Sequence, residues 1–190
     1  MRLTPPLLAD AATAAASTAR GVSPDQLAAP TPCQEWQVLP LANHLLQVAT
    51  ALSLAGRGGP VPGDIWERDL MSDDWTSRLD EQARQAIEAW SHSSAWEGMV
   101  SMGTSEMPAG IMATMLASDL VIHSWDLARA TGQEYACLDD TAEMARAFVE
   151  QMGEQGRGMG IFAEPVPVPD EAPALQKAVG LSGRDPAWKP

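Results

Sequence analysis

Apolar residues recur along this chain at intervals of three and four, the period of a helix with one buried face. From Pro5 to about Arg20, the residues Leu7, Leu8, Ala11, Ala15 and Thr18 form one such stripe. The prolines there fall in a first turn that needs no backbone donors, and Gly21 follows as a stop. The stretch Val22 to Gln37 carries Pro24, Pro30 and Pro32 and reads as a linking loop. A second helix is predicted from near Pro40 to Gly56, with Leu41, Leu45, Val48 and Leu52 facing inward and His44 on the same face. After a Gly/Pro-rich loop to Gly63, a third spans Trp75 to Trp90. It turns Leu79, Ala83, Ala86, Ile87 and Trp90 inward and Arg78, Asp80, Glu81 and Glu88 to solvent.

The period breaks between Ser91 and Gly110, where Met99, Val100 and Met102 among Ser and Gly residues suggest a short strand or an irregular crossover. Pro108 marks the start of the next helix, and Ala109 to Ala130 is the strongest helical stretch in the chain, with Gly132 as its stop. A fifth helix, about Thr141 to Gln155, buries Ala145, Phe148, Val149 and Met152. Glycines follow, then Pro165-Val166-Pro167-Val168-Pro169, a stiff extended run suited to a surface. The tail from Ala172 to Pro190 is expected to fold a short helix and Trp188 back onto the rest. No internal repeat is visible. Helical segments without long strands predict an all-α bundle over residues 1–160, with a C-terminal extension over 161–190 packing on it.

Composition narrows the class. The 190 residues are 45% hydrophobic and 19% charged, enough for one well-cored domain. A formal charge of −13 argues against nucleic acid and anionic membrane surfaces as partners. Polar residues interrupt the apolar stretches, so no membrane span is expected. The N-terminus lacks the charged segment and long apolar core of a secretory signal, which makes the cytoplasm the expected compartment. Cys33 and Cys137 are too few for a disulfide scaffold and are read as reduced thiols.

The candidate chemistry lies in the strongest helix. Asp119 and His123 are four residues apart and stand one turn apart on a face shared with Met112, Met115, Leu116 and Leu127. An unpartnered carboxylate on an apolar face is costly, and a metal ion would resolve that cost. His44, on the apolar face of another helix, also needs a partner and supplies a third ligand. Two imidazoles and a carboxylate leave coordination positions open, as in a catalytic zinc site. The alternative is a hydrogen-bonded core cluster of the same three residues without metal. His92 reads as a surface residue, Cys33 as a thiol that is either activated ahead of a helix or inert, and the seven tryptophans as packing. Asp126 and Arg129 can pair with one another or with the tail.

Three elements carry a resemblance. They are Thr31-Pro32-Cys33-Gln34-Glu35-Trp36 followed by Asn43-His44-Leu45; His123-Ser124-Trp125-Asp126-Leu127-Ala128-Arg129-Ala130-Thr131-Gly132; and the Pro-rich run with Gly183-Arg184-Asp185-Pro186-Ala187-Trp188. On them the chain resembles the mycothiol-dependent maleylpyruvate isomerase N-terminal family of DinB-like metal proteins, in a short actinobacterial subgroup. The resemblance implies a four-helix bundle with a short extended crossover and a Pro-rich tail packed on it. It also implies a divalent ion held by His44, Asp119 and His123, with zinc the first choice and nickel or another ion the alternative. The acid is a Glu in the isomerase and Asp119 here, and the isomerase has a larger C-terminal domain. The activity it implies is that of an isomerase or S-transferase using mycothiol or a similar low-molecular-weight thiol and a small-molecule substrate. In that chemistry the ion lowers the pKa of the thiol, which then attacks an electrophilic carbon. A non-catalytic module binding a metal or small ligand is the alternative, and a homodimer is an option for its assembly.

Overall fold

The helix faces marked by the apolar period converge on one core in the computed structural model, which describes residues 2–34 and 36–190. The elements are α1 (Pro5–Arg20), α2 (Val38–Gly56), α3 (Trp75–Trp90), strands β1 (Met99–Met102) and β2 (Ser105–Pro108), α4 (Ala109–Ala130), α5 (Asp139–Gly158) and α6 (Ala174–Leu181). α2 starts two residues before the expected Pro40, which therefore sits at the third helical position, where its missing N–H still costs no intrahelical bond. α5 is longer than expected at both ends. Asp139 and Asp140 favour its positive N-terminal end, and its last turn carries Gly156, against which the Phe162 ring packs.

α1 and α2 each pack against both α3 and α4, so they occupy opposite corners of a four-helix bundle. α5 lies on α4, and α6 lies on α5. The core is built from Leu8, Leu41, Leu45, Leu52, Leu79, Met112, Leu116 and Leu120, each essentially inaccessible and each contributing roughly 1.5–3 kcal/mol by burial. Trp90 closes one end of it, its indole N–H donating to the Leu52 carbonyl at 2.8 Å and tying α3 to α2. By length and composition alone α2 is long and apolar enough to cross a membrane, although Asn43, His44, Gln47, Thr50 and Ser53 interrupt it. About two-thirds of that stretch, 67%, is buried inside the bundle, so its apolarity is accounted for by the core.

The break in period after α3 is an antiparallel hairpin, with Val100 opposite Met107 and Met102 opposite Ser105. Val61 lies along the outer edge of β1, its N–H donating to the Ser101 carbonyl at 2.8 Å. This places Met102 beside the end of the bundle that carries His44.

The tail returns to the same end. The Pro-rich run docks through the Val166 N–H, which donates to the Gly180 carbonyl at 2.9 Å. After α6 the chain turns at Gly183, which has φ 89°. A Cβ there would lie 2.5 Å from the Ala163 Cβ and 2.9 Å from Ala163 backbone, so this position needs glycine for both conformation and space. Replacing it, Gly183→Ala, is expected to cost about 1–3 kcal/mol in urea denaturation. An unchanged midpoint would mean that the tail is not packed this way in solution.

Candidate functional site

α2 and α4 cross at the level where each carries a polar residue on an otherwise apolar stripe. His44 Nε2 lies 3.1 Å from one oxygen of Asp119, and His123 Nε2 lies 3.1 Å from the other. The three residues offer ligand atoms within 4.8 Å of one another. His44 and Asp119 are partly open, with 17% and 29% of their side chains exposed, so the face predicted as fully buried opens at this point into a cavity.

Around His44 the loop before α3 is tied down by α2 itself. Gln47 donates to the Arg68 carbonyl at 2.7 Å, and Asn43 both donates to that carbonyl at 3.0 Å and accepts from the Leu70 N–H at 2.7 Å. The loop thus brings Trp66 to 5.8 Å from the His44 ring. On the other side the Thr31 hydroxyl lies within bonding distance of the Cys33 and Trp36 carbonyls, at 2.9 and 2.7 Å. The turn so formed lays the Trp36 indole over both imidazoles, with ring centroids 4.7 Å from His44 and 5.3 Å from His123.

Behind His123 stands a second layer. Its Nδ1 lies 3.0 Å from an oxygen of Asp126, a carboxylate with no exposed surface. Arg184, from the tail, approaches the same carboxylate with Nη2 at 3.1 Å and Nε at 3.3 Å, while its Nη1 donates to the Ser182 carbonyl at 3.1 Å. Both of the residues on α4 left open to pairing therefore go to the tail, because Arg129 donates to the Trp188 carbonyl.

The electrostatics follow from this geometry. Burial alone would raise the Asp119 carboxyl, but the facing imidazole charges of His44 and His123 and their hydrogen bonds outweigh it and hold the group well below the usual carboxylate range. Burial also works against a charged His123. The Asp119 charge and the hydrogen bonds to Asp119 and Asp126 exceed it, so the imidazole pKa is raised. A neutral imidazole has one N–H, yet both nitrogens of His123 face carboxylates. With its proton directed to Asp126, the lone pair of Nε2 faces Asp119, and a proton or another cation is required where the three residues meet.

The cavity holds about 710 Å³ and is walled by α4, α5, the turn at Trp36, the strand residue Met102 and the tail. Phe148 and Met152 of α5, expected in the core, line it instead and are half-buried. Cys33 also lines it, with its sulfur within 4.8 Å of ligand atoms of His123 and Asp126. Cys137 is elsewhere, its thiol pushed up to about 11 by burial and then by the charge of Asp10, and is not a thiolate near neutral pH. His92 is exposed, as expected. Sequence reasoning missed the roles of Trp36 and Arg184, although both stood in the motifs that carried the resemblance.

The family model described as the mycothiol maleylpyruvate isomerase N-terminal domain matches residues 8–128, which span α1 to most of α4 and include all three residues of the cluster. The chain belongs to this family. An uncharacterized protein of Mycobacterium tuberculosis, found in two strains, is 30% identical over 165 residues, 86% of this chain and 87% of that protein. Among solved structures, the mycothiol-dependent maleylpyruvate isomerase and a histidine-to-alanine mutant of it share the fold, with TM-scores of 0.58 and 0.59. Each is 16% identical, and the match covers 80% of this chain and 70% of the other.

The Asp126–Arg184 pair predicts a sharp asymmetry. Arg184→Met strands a buried carboxylate and is expected to cost about 3–5 kcal/mol, whereas adding Asp126→Asn to it should recover most of that loss. A double-mutant cycle by chemical denaturation reads the difference. Additive single effects would mean that the two side chains do not interact.

Proposed function

We propose that this family member is a divalent-metal protein, with zinc the first choice, whose site works with a low-molecular-weight thiol such as mycothiol in isomerase or S-transferase chemistry. The observation that carries the reading is the convergence of two imidazoles and a shared carboxylate on the wall of an accessible cavity. Family membership and the shared fold with a mycothiol-dependent isomerase support the thiol. His44, Asp119 and His123 would hold the ion through nitrogen and oxygen donors, a set that suits zinc or a similar borderline ion. When bound, such an ion acts as a Lewis acid and favours the thiolate form of a nearby thiol.

The remaining work belongs to the chain. Asp126 accepts the Nδ1 proton of His123 and so directs the Nε2 lone pair into the site. Arg184 balances the buried charge of Asp126, which leaves the proton on the imidazole. The Trp36 indole covers both imidazoles and keeps bulk water from one side of the cluster, so a thiolate held there is poorly solvated. The open side of the cavity admits the electrophile.

Metal analysis and cobalt substitution test this reading. One ion per chain is expected, lost in His44→Ala and His123→Ala. Adding mycothiol to the cobalt protein should produce a sulfur-to-cobalt charge-transfer band. Folded protein that takes up no stoichiometric metal refutes the metal site, and a spectrum indifferent to mycothiol refutes the thiol.

The raised pKa of His123 adds a pH dependence. A proton on this imidazole competes with the ion, so zinc affinity should fall as pH drops through the raised value, with proton release on binding. Zinc titrations from about pH 8 to about pH 5 follow it. Affinity that is level across that range would mean that His123 is not a ligand.

A further inference from the structure

We infer that the electrophile taken by this site is an uncharged molecule with a sizeable apolar body, aromatic or alkyl, and not a small dianion. The inference rests on the reading of the cavity as a substrate site. It follows from what the walls offer around His44, Asp119 and His123. The apolar lining includes Met115 from α4, Phe148 and Met152 from α5, Ile161 and Phe162 after it, and Trp66, whose ring lies 5.8 Å from that of His44. Ile161 and Trp66 remain 57% and 36% exposed, so a ligand in the cavity would cover apolar surface that nothing in the fold covers.

Charge excludes the other class. Among the described residues lining the cavity, Arg184 is the sole arginine or lysine. Its charge is already matched, since Nε and Nη2 face the buried Asp126 carboxylate, and Nη1 donates to the Ser182 carbonyl. Asp119 adds a negative charge beside it. A divalent ion held by Asp119 and two neutral imidazoles keeps one net positive charge, and a thiolate matches that. Two carboxylates entering the same space would be stripped of water with no cation left to meet them. A chain of charge −13 repels them on approach as well.

The test uses N-phenyl-1-naphthylamine, an uncharged dye that brightens in apolar surroundings, with benzylideneacetone and maleate as competitors. The dye should bind once per chain, equally to metal-free and zinc-loaded protein. Benzylideneacetone, an uncharged aryl enone, should displace it at concentrations at least roughly tenfold below those needed for maleate. Met152→Lys should weaken dye binding about tenfold and move the preference toward maleate, and Met115→Lys provides the same test from α4 should the first variant fail to fold. Met159→Lys adds the same charge at an exposed position outside the lining and should change nothing. Maleate displacing the dye as readily as benzylideneacetone, or dye binding indifferent to folded wall variants, overturns the proposal. Because the dye needs no metal, either result stands apart from the outcome of zinc and cobalt binding.

Discussion

The shared carboxylate of Asp119 is the constraint on which the arrangement of the polar site depends. Two imidazoles from different helices approach its two oxygens at the same distance, 3.1 Å, and this can hold for one relative height of α2 and α4 alone. A slip by one helical turn would move the partners apart by about 5.4 Å. Hydrophobic contacts between the helices do not discriminate so sharply, since leucines one turn apart are interchangeable in kind. The apolar core supplies the stability, and the polar cluster specifies the register.

That division explains the tail. His123 can direct Nε2 into the cluster because Asp126 takes its other nitrogen, and Asp126 can be fully buried because Arg184 matches its charge. Arg184 in turn is placed by the turn at Gly183 and by the contact of the Pro-rich run with α6. A segment outside the four helices thus supplies the charge that matches the carboxylate behind His123. Loosening the tail and altering the site are one perturbation, whichever end it starts from.

The helices were legible because burial imposes a period on the sequence. α1, α3 and α4 run over the spans that their stripes and stops mark, and the family motifs point to the residues of the cluster. What was not legible has a common cause in distance along the chain. Asp126 and Arg184 are 58 residues apart, and nothing local to either shows that they meet. Phe148 and Met152 have the same apolar spacing as core residues, so no pattern distinguishes a wall around a cavity from a wall around other side chains. The α2 stripe is apolar enough to pass for a membrane span by composition, because a helix buried inside a bundle can be as apolar as one that crosses a bilayer.

The same separation between frame and site bears on how far kinship reaches. At 16% identity to a solved isomerase, most surface and core side chains have been exchanged while the fold persists. The fold survives because any set of apolar residues at the right spacing fills a bundle. Under the proposed function, reaction chemistry would need the few residues that meet at Asp119, whereas the choice of substrate would fall to the cavity wall. On the inference drawn above, a wall whose one arginine among the described lining residues is paired with Asp126 would select by burial of apolar surface. Family membership fixes the frame, and on that inference the side chains of α4, α5 and the segment after α5 would decide what the cavity accepts.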